Sequence, residues 1–247
     1  MKNHKGIILA AGQGTRMLNF KEPKSTLELK KNFTIMSNIL SNFRKNYINE
    51  IFIITGFKSQ VFKKYKAKKI INKNWKKTNM FKSLLCADKI LNKFPCVVSY
   101  ADIVYDYSAI KLLTKTKSEI AICYYSKWLT LWKKRFNNPL SDAEVFKLIG
   151  KNNLKEIGTK PKTLKEIEGQ YMGLLYFTPK GWKKIKKILK KINIKKIDKV
   201  SMTEILNIVI KNGAKIRAVK YKNYFAEMDS PKDYKILKKD LKKVKFD

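Results

Sequence analysis

Along the chain, short apolar runs alternate with segments whose apolar residues recur every three or four positions. Residues 5–11 (KGIILAA), 50–55 (EIFIIT), 96–101 (CVVSYA) and 119–125 (EIAICYY) have the length and apolar continuity of strands buried on both faces. Between them, residues 34–47, 79–91 and 107–114 read as helices. This alternation predicts right-handed crossovers and a largely parallel sheet. After about residue 126 the rhythm changes: 144–149, 154–157 and 172–178 read as strands that need not continue the parallel order. Residues 181–192 make a helix with one apolar stripe and a lysine face, and residues 201–211 open with Ser-Met-Thr-Glu, a capping box. A strand over 215–220 and a helix from Pro231 close the chain. The expected fold class is α/β: a Rossmann-like, mixed and mostly parallel sheet flanked by helices. It forms a single domain over residues 1–247, with an embedded region at 126–180 that shapes a cleft.

Composition narrows the class. A chain of 247 residues, 44% apolar and 12% aromatic, can build a full core, which excludes disorder. No apolar run approaches the ~20 residues of a membrane span, and the first apolar stretch is too short for a secretory signal, so a cytoplasmic protein is expected. Cys86, Cys96 and Cys123 form no C-x-x-C pair, which fits a reducing compartment. His4 is the only histidine, so any Ser–His, Cys–His or His-ligated metal chemistry has one residue to draw on. The net charge of +37 suggests a basic polyanion- or nucleic-acid-binding module. Against it, only Arg16, Arg44, Arg135 and Arg217 are arginine, the residue that reads base edges and forks phosphates. Lysines spread over the whole length favour a default surface residue, with non-specific polyanion attraction as a side effect and no specific nucleic-acid partner.

The chemistry concentrates in Leu9-Ala10-Ala11-Gly12-Gln-Gly14-Thr15-Arg16-Met17, followed by Pro23-Lys24. A strand running into two glycines lets the backbone approach a ligand closely, and its N–H groups can cradle phosphate oxygens. Arg16 adds a forked donor and Lys24 a point charge. A dinucleotide-binding G-x-G-x-x-G is excluded: Met17 stands where the third glycine belongs, and the second strand ends in Thr55-Gly56 without a ribose-binding acid.

LAAGxGTRM followed by PK resembles the fingerprint of nucleotidyltransferases with a GT-A-like Rossmann fold, which activate phosphorylated metabolites with nucleoside triphosphates. The matched elements run from residue 5 to about 236. The resemblance implies that Leu9, Ala10, Ala11, Gly12, Gly14, Thr15, Arg16 and Lys24 bind nucleotide. It also implies that Asp102, ending Ser-Tyr-Ala-Asp, and Asp229, ending Phe-Ala-Glu-Met-Asp, hold Mg²⁺, and that Arg16, Lys24, Asp102 and Asp229 are catalytic. Ala101 replaces the family's common glycine before the first metal-binding Asp and keeps a small residue in the nucleotide site. The stretch Asn74-Trp75…Asn79…Ser83-Leu84 is similar to small cytidylyltransferases acting on phosphocholine-like substrates, and most of all to those that use phosphoglutamine in capsule polysaccharide modification. Asn79 and Ser83 would then lie near the base or ribose. The implied partners are CTP and a small phosphorylated metabolite: phosphoglutamine first, phosphocholine second, a sugar 1-phosphate third. Enzymes that load guanylate onto molybdopterin share the first motif but differ after Lys24, and a GT-A glycosyltransferase would want Asp-x-Asp where this chain has Asp102-Ile-Val-Tyr-Asp106.

Several residues keep two readings. Asp102 is a metal ligand or a strand-end turn residue, and Asp229 a ligand or a helix N-cap before Ser-Pro. Glu227 is a neighbour of the metal or an exposed strand residue. Glu168, Tyr171 and Gly173 either shape the acceptor pocket or make an ordinary turn. Trp75, Trp128 and Trp132 either cage a quaternary ammonium or belong to the core. The scarcity of histidine suits the implied reaction, because a phosphate monoester with a second pKa near ~6 is already a dianionic nucleophile at neutral pH.

Overall fold

The computed structural model describes residues 3–17, 21–192 and 197–242. Strand β1 (Lys5–Ala10) is buried along its whole length, which is why its sequence shows no polar alternation. It lies between β4 (Ile51–Thr55) and β6 (Cys96–Tyr100), parallel to both, with Ile8 in register with Ile53 and Ser99. Outside β4 runs β5 (Lys68–Ile71), a parallel edge strand whose exposed lysines discourage further pairing. Beyond β6 comes β11 (Gln170–Phe177), antiparallel to β6 and to β8 (Ile120–Tyr125). Then β12 (Arg217–Tyr221) runs parallel to β8, and β10 (Asn153–Ile157) and β9 (Phe146–Ile149) finish the sheet antiparallel. The spatial order is β5-β4-β1-β6-β11-β8-β12-β10-β9. The sheet is thus mixed and mostly parallel, and its reversals fall where the sequence rhythm changes. Strands β9, β10 and β11 of the 126–180 region belong to this same sheet. Two small ribbons stand apart, β2 (Glu28–Lys30) with β3 (Phe33–Thr34), and β7 (Ile103–Tyr105) with β13 (Phe225–Glu227).

Helix α1 (Ile35–Lys45) starts at a Thr34/Ser37 capping box and lays Phe43 against Gly6 of β1. The segment 79–91 is two helices, α2 (Met80–Leu85) and α3 (Asp88–Leu91), rather than one. Between them the Cys86 and Ala87 N–H groups bond three residues back, to Ser83 and Leu84, and this tighter winding ends the first helix. Helix α4 (Ser108–Thr114) packs on β6, β8, β11 and β12. Helix α5 (Trp128–Arg135) buries Trp128, Leu131, Trp132 and Arg135, in line with the helical spacing of Trp128 and Trp132. In α6 (Pro179–Ile192), Trp182, Ile185 and Leu189 are buried at helical spacing while the lysines face out. Helix α7 (Met202–Lys211) carries the expected Ser201/Glu204 capping box, and α8 (Pro231–Asp240) begins with Pro231 behind a Ser230/Asp233 box.

This arrangement brings three chain segments to one crevice at the carboxyl ends of β1 and β6, the place where open α/β sheets bind ligands. The loop after β1 and the residue pair Ala101-Asp102 after β6 meet there, and the Met228 N–H donates to the Asp102 carbonyl at 2.8 Å, drawing in the end of β13.

Candidate active site

A cavity of about 380 Å³ opens in this crevice. Leu9, Ala10, Ala11, Gly12, Gly14, Thr15 and Arg16 line it from β1 and its loop, Lys24 from the following segment, Asn79 and Ser83 from α2, and Ala101, Asp102 and Asp229 from the far wall. The nucleotide-site residues expected from the sequence therefore meet in one place. Gly14 turns the loop with φ +69, a conformation that side chains disfavour, and its carbonyl accepts from the Met17 N–H at 2.8 Å. Pro23 leads into the short turn that presents Lys24, and its carbonyl accepts from the Thr26 N–H and hydroxyl. Asn72, buried, donates to the Thr78 and Ser83 hydroxyls at 2.9 and 3.0 Å and so pins the segment leading into α2. The Asn79 side chain caps α2 on the Met80 N–H at 2.7 Å and donates to the Lys199 carbonyl, a structural task alongside its place in the wall.

At the centre of the cavity, Lys24 Nζ lies 2.8 Å from Asp102 Oδ2 and 2.7 Å from Asp229 Oδ1. Burial alone would lower the Lys24 pKa, yet the two carboxylates hold it above its ordinary value. Burial likewise pushes against ionisation of Asp229, but Lys24 and Arg16, 3.1 Å from Asp229 Oδ2, bring its carboxyl down to about 2. A third cation comes from α5: the buried Arg135 donates Nε to Asp233 Oδ1 at 2.9 Å and Nη1 to Glu227 Oε2 at 2.8 Å, with Nη2 3.5 Å from Asp229 Oδ2. Asp233 Oδ2 in turn accepts from the Asp229 and Ser230 N–H groups. The N-cap of α8 is Ser230, so Asp229 is not the cap. Nor is Glu227 an exposed strand residue. It is half-buried on Arg135, and burial together with the Asp229 carboxylate pushes its own carboxyl well up. Nothing in the motifs flags Arg135; the available signal is an arginine closing an apolar helix in a chain that otherwise uses lysine.

Asp102, Glu227 and Asp229 each offer an oxygen within 4.8 Å of the others. Asp102 Oδ1 is buried and, among the described residues, accepts no hydrogen bond. Hard carboxylate oxygens in this number, one of them unpartnered, fit a magnesium-type cation.

A second cavity, about 220 Å³, adjoins the first and shares Arg16, Met80 and Asp229 with it. Tyr171, Gly173 and Glu227 line it as expected. Gly173 has φ +71, and a Cβ there would come within 2.7 Å of the Tyr100 ring; without it, Tyr100 sits edge to face with Tyr171 at 5.7 Å. Glu168 does not belong to this lining. It is exposed, and its carboxylate accepts from the Leu148 N–H at 2.5 Å, because the segment before β11 bridges to β9, where Ile167 pairs with Phe146 and the Glu168 N–H donates to the Phe146 carbonyl at 2.9 Å. The three tryptophans do not converge: Trp75 packs edge-on against Phe57, Trp128 packs on Trp132 at 6.1 Å, and Trp132 is the one that lines the cavity. Asp142 and Glu144, absent from the sequence expectations, also line it.

The MobA-like NTP transferase domain matches residues 6–155. The chain is 32% identical to CTP:phosphoglutamine cytidylyltransferase of Campylobacter jejuni, covering 93% of this chain and 97% of that protein. Its fold is shared with the inositol-1-phosphate CTP transferase of T. maritima (TM-score 0.74, 16% identity, 99% of this chain and 98% of the other). It is shared too with CTP:phosphocholine cytidylyltransferase of Streptococcus pneumoniae (TM-score 0.69, 19% identity, 98% and 100%). With this match over most of its length and the cavity at its strand ends, the chain belongs to the MobA-like NTP transferase family and is a nucleotidyltransferase.

Proposed function

We propose that this protein is a Mg²⁺-dependent cytidylyltransferase that joins CTP to a small phosphorylated metabolite, phosphoglutamine before phosphocholine or a sugar 1-phosphate, to give a CDP-adduct and pyrophosphate for capsule or surface polysaccharide modification. The observation that carries this reading is the single cavity in which a glycine loop, Arg16 and Lys24 face the Asp102–Asp229 pair. The 32% identity to the Campylobacter enzyme over 93% of the chain supports CTP as the nucleotide and phosphoglutamine as the first acceptor.

In this mechanism an oxygen of the acceptor phosphate attacks the α-phosphorus of CTP, and the bond from that phosphorus to the bridging oxygen breaks. The electron pair leaves with pyrophosphate. The acceptor is already anionic, so no general base is required. The N–H groups around Gly12–Thr15 cradle the triphosphate, and Arg16 and Lys24 stabilise charge gathering on the departing pyrophosphate. Asp102 and Asp229, with Glu227 behind them, would hold Mg²⁺, which when bound offsets phosphate charge. Arg135 keeps the Glu227 and Asp229 carboxylates aimed.

Phosphorus NMR of enzyme and Mg²⁺ with each ribonucleoside triphosphate, against phosphoglutamine, phosphocholine, phosphoethanolamine and glucose 1-phosphate, tests this. A diphosphodiester and pyrophosphate signal with CTP and phosphoglutamine is expected. Products formed with another nucleotide and not CTP would overturn the choice of base, and products from the sugar phosphate alone the choice of acceptor.

A further inference from the structure

We propose that Asp142 and Glu144 form a specificity site for an ammonium group carried by the acceptor, at the end away from its phosphate; this deepens the cytidylyltransferase reading and rests on it. The chain has 56 basic and 19 acidic residues, yet the second cavity is lined by Asp142, Glu144, Glu227 and Asp229, with Arg16 its one basic lining residue among the described residues. Glu227 and Asp229 are neutralised from behind by Arg135. Asp142 and Glu144 make no ion pair or hydrogen bond with Arg135 among the described residues, although its charge also reaches Asp142. Asp142 has Arg16 at 4.0 Å, whose side chain is 62% exposed. The Glu144 carboxylate accepts the Thr203 hydroxyl at 3.1 Å and makes no ion pair among the described residues. Burial pushes both carboxyls above their ordinary values, the mark of charge held without enough compensation.

A second observation points to a ligand in the same place. Trp132 is 3% exposed and lines this cavity, and its indole N–H faces Asp142 without a hydrogen bond of normal geometry. The Tyr171 hydroxyl, also in the wall, is buried and has no partner of normal geometry. Carboxylates with loosely held donors beside them suit a group that presents an ammonium next to an oxygen, as an amino-acid end does. The rings of Tyr100, Tyr171 and Trp132 in the lining add aromatic surface, which attracts cations. A neutral polyol offers the oxygen without the cation. A phosphorylated acceptor lacking any cation would have to enter among carboxylates.

The test compares turnover of phosphoglutamine, phosphoethanolamine and glucose 1-phosphate by the wild type and by the Asp142→Asn/Glu144→Gln double variant. Calorimetric titration with CTP serves as the check that the variant is folded. The wild type is expected to favour the ammonium-bearing acceptors by at least about 100-fold in kcat/KM, because a built polar site rejects analogues lacking its partner group. The double variant is expected to shrink that preference at least about tenfold, through KM for the ammonium-bearing acceptors. Equal turnover of glucose 1-phosphate, or a preference unchanged by the double variant, would overturn the proposal. Should no acceptor release pyrophosphate, the cytidylyltransferase reading fails. Calorimetric titration with the acceptors alone then decides this site: ammonium-dependent binding weakened by the double variant supports it, and indifference to the ammonium sinks it.

Discussion

At the scale of single residues, Lys24 carries two demands that pull in different directions. Its ammonium bridges Asp102 and Asp229, two of the carboxylates that suit a divalent cation, while the triphosphate needs that charge for itself. Lys24→Ala is therefore expected to lower kcat/KM by about 10²–10³, or roughly 3–4 kcal/mol, as when a charge-stabilising donor is removed. The same change should tighten Mn²⁺ binding in the absence of nucleotide, read by the loss of free-ion EPR signal, because nothing then competes for the carboxylates. Unchanged or weaker Mn²⁺ binding would show that the lysine does not compete there. Asp102→Asn and Asp229→Asn should each abolish product formation while the far-UV circular dichroism stays that of the wild type; a near-normal rate in either would remove that residue from the metal set. The glycine loop, Arg16 and Lys24 were legible in the sequence because phosphate chemistry constrains the backbone, and two glycines follow a buried strand with Arg and Lys close behind. Asp102 and Asp229 were legible only through the resemblance to the nucleotidyltransferase fingerprint. The ambiguity at Asp229 was local in origin, since Asp-Ser-Pro looks like a cap until the structure puts Ser230 in that role.

Between residues and the whole fold stand the elements, and here α5 matters most. It delivers Arg135 to Glu227, Asp229 and Asp233, residues 92 to 98 positions away in the chain. No local pattern can announce a contact of that range, which is why the role of its arginine was not legible. Removing one partner of a buried ionic cluster leaves the rest uncompensated, at a cost of about 3–5 kcal/mol. For a chain of this size that corresponds to a fall in Tm of roughly 6–20 °C. Arg135→Met is expected to show it by calorimetry, along with weaker Mn²⁺ binding, and Arg135→Lys to restore part of the stability but less of the metal affinity, since an ammonium cannot fork to three carboxylates. A Met variant as stable as the wild type would mean the carboxylates are not charged together. The break between α2 and α3 escaped for a different reason: residues 79–91 keep helical spacing throughout, and only the tighter hydrogen bonds at Cys86 and Ala87 interrupt them. The capping boxes at 201 and 230, by contrast, are short-range devices, and the one at 201 was read directly.

At the scale of the whole molecule, the charge is sorted by place. Lysines cover the exposed face of α6 and the edge strand β5, while Asp102, Asp142, Glu144, Glu227, Asp229 and Asp233 gather at the two cavities and just behind them. Composition gives the sum of +37 but not this separation, which depends on long-range folding. A surface so basic attracts any polyanion, yet arginine, the residue that reads base edges, is rare. Binding to duplex DNA should therefore be real at low salt and blind to sequence. Fluorescence anisotropy with two labelled duplexes of equal length and different sequence is expected to give the same affinity for both. That affinity should decline linearly on a log–log plot against salt, with a slope near −0.9 for each phosphate neutralised. Asp102→Asn should follow the wild-type line within error, because the acidic centre takes no part in this attraction. A preference between the duplexes, or DNA binding that collapses in the Asp102 variant, would instead tie nucleic acid to the site itself and revive the binding-module reading that the cavity argues against.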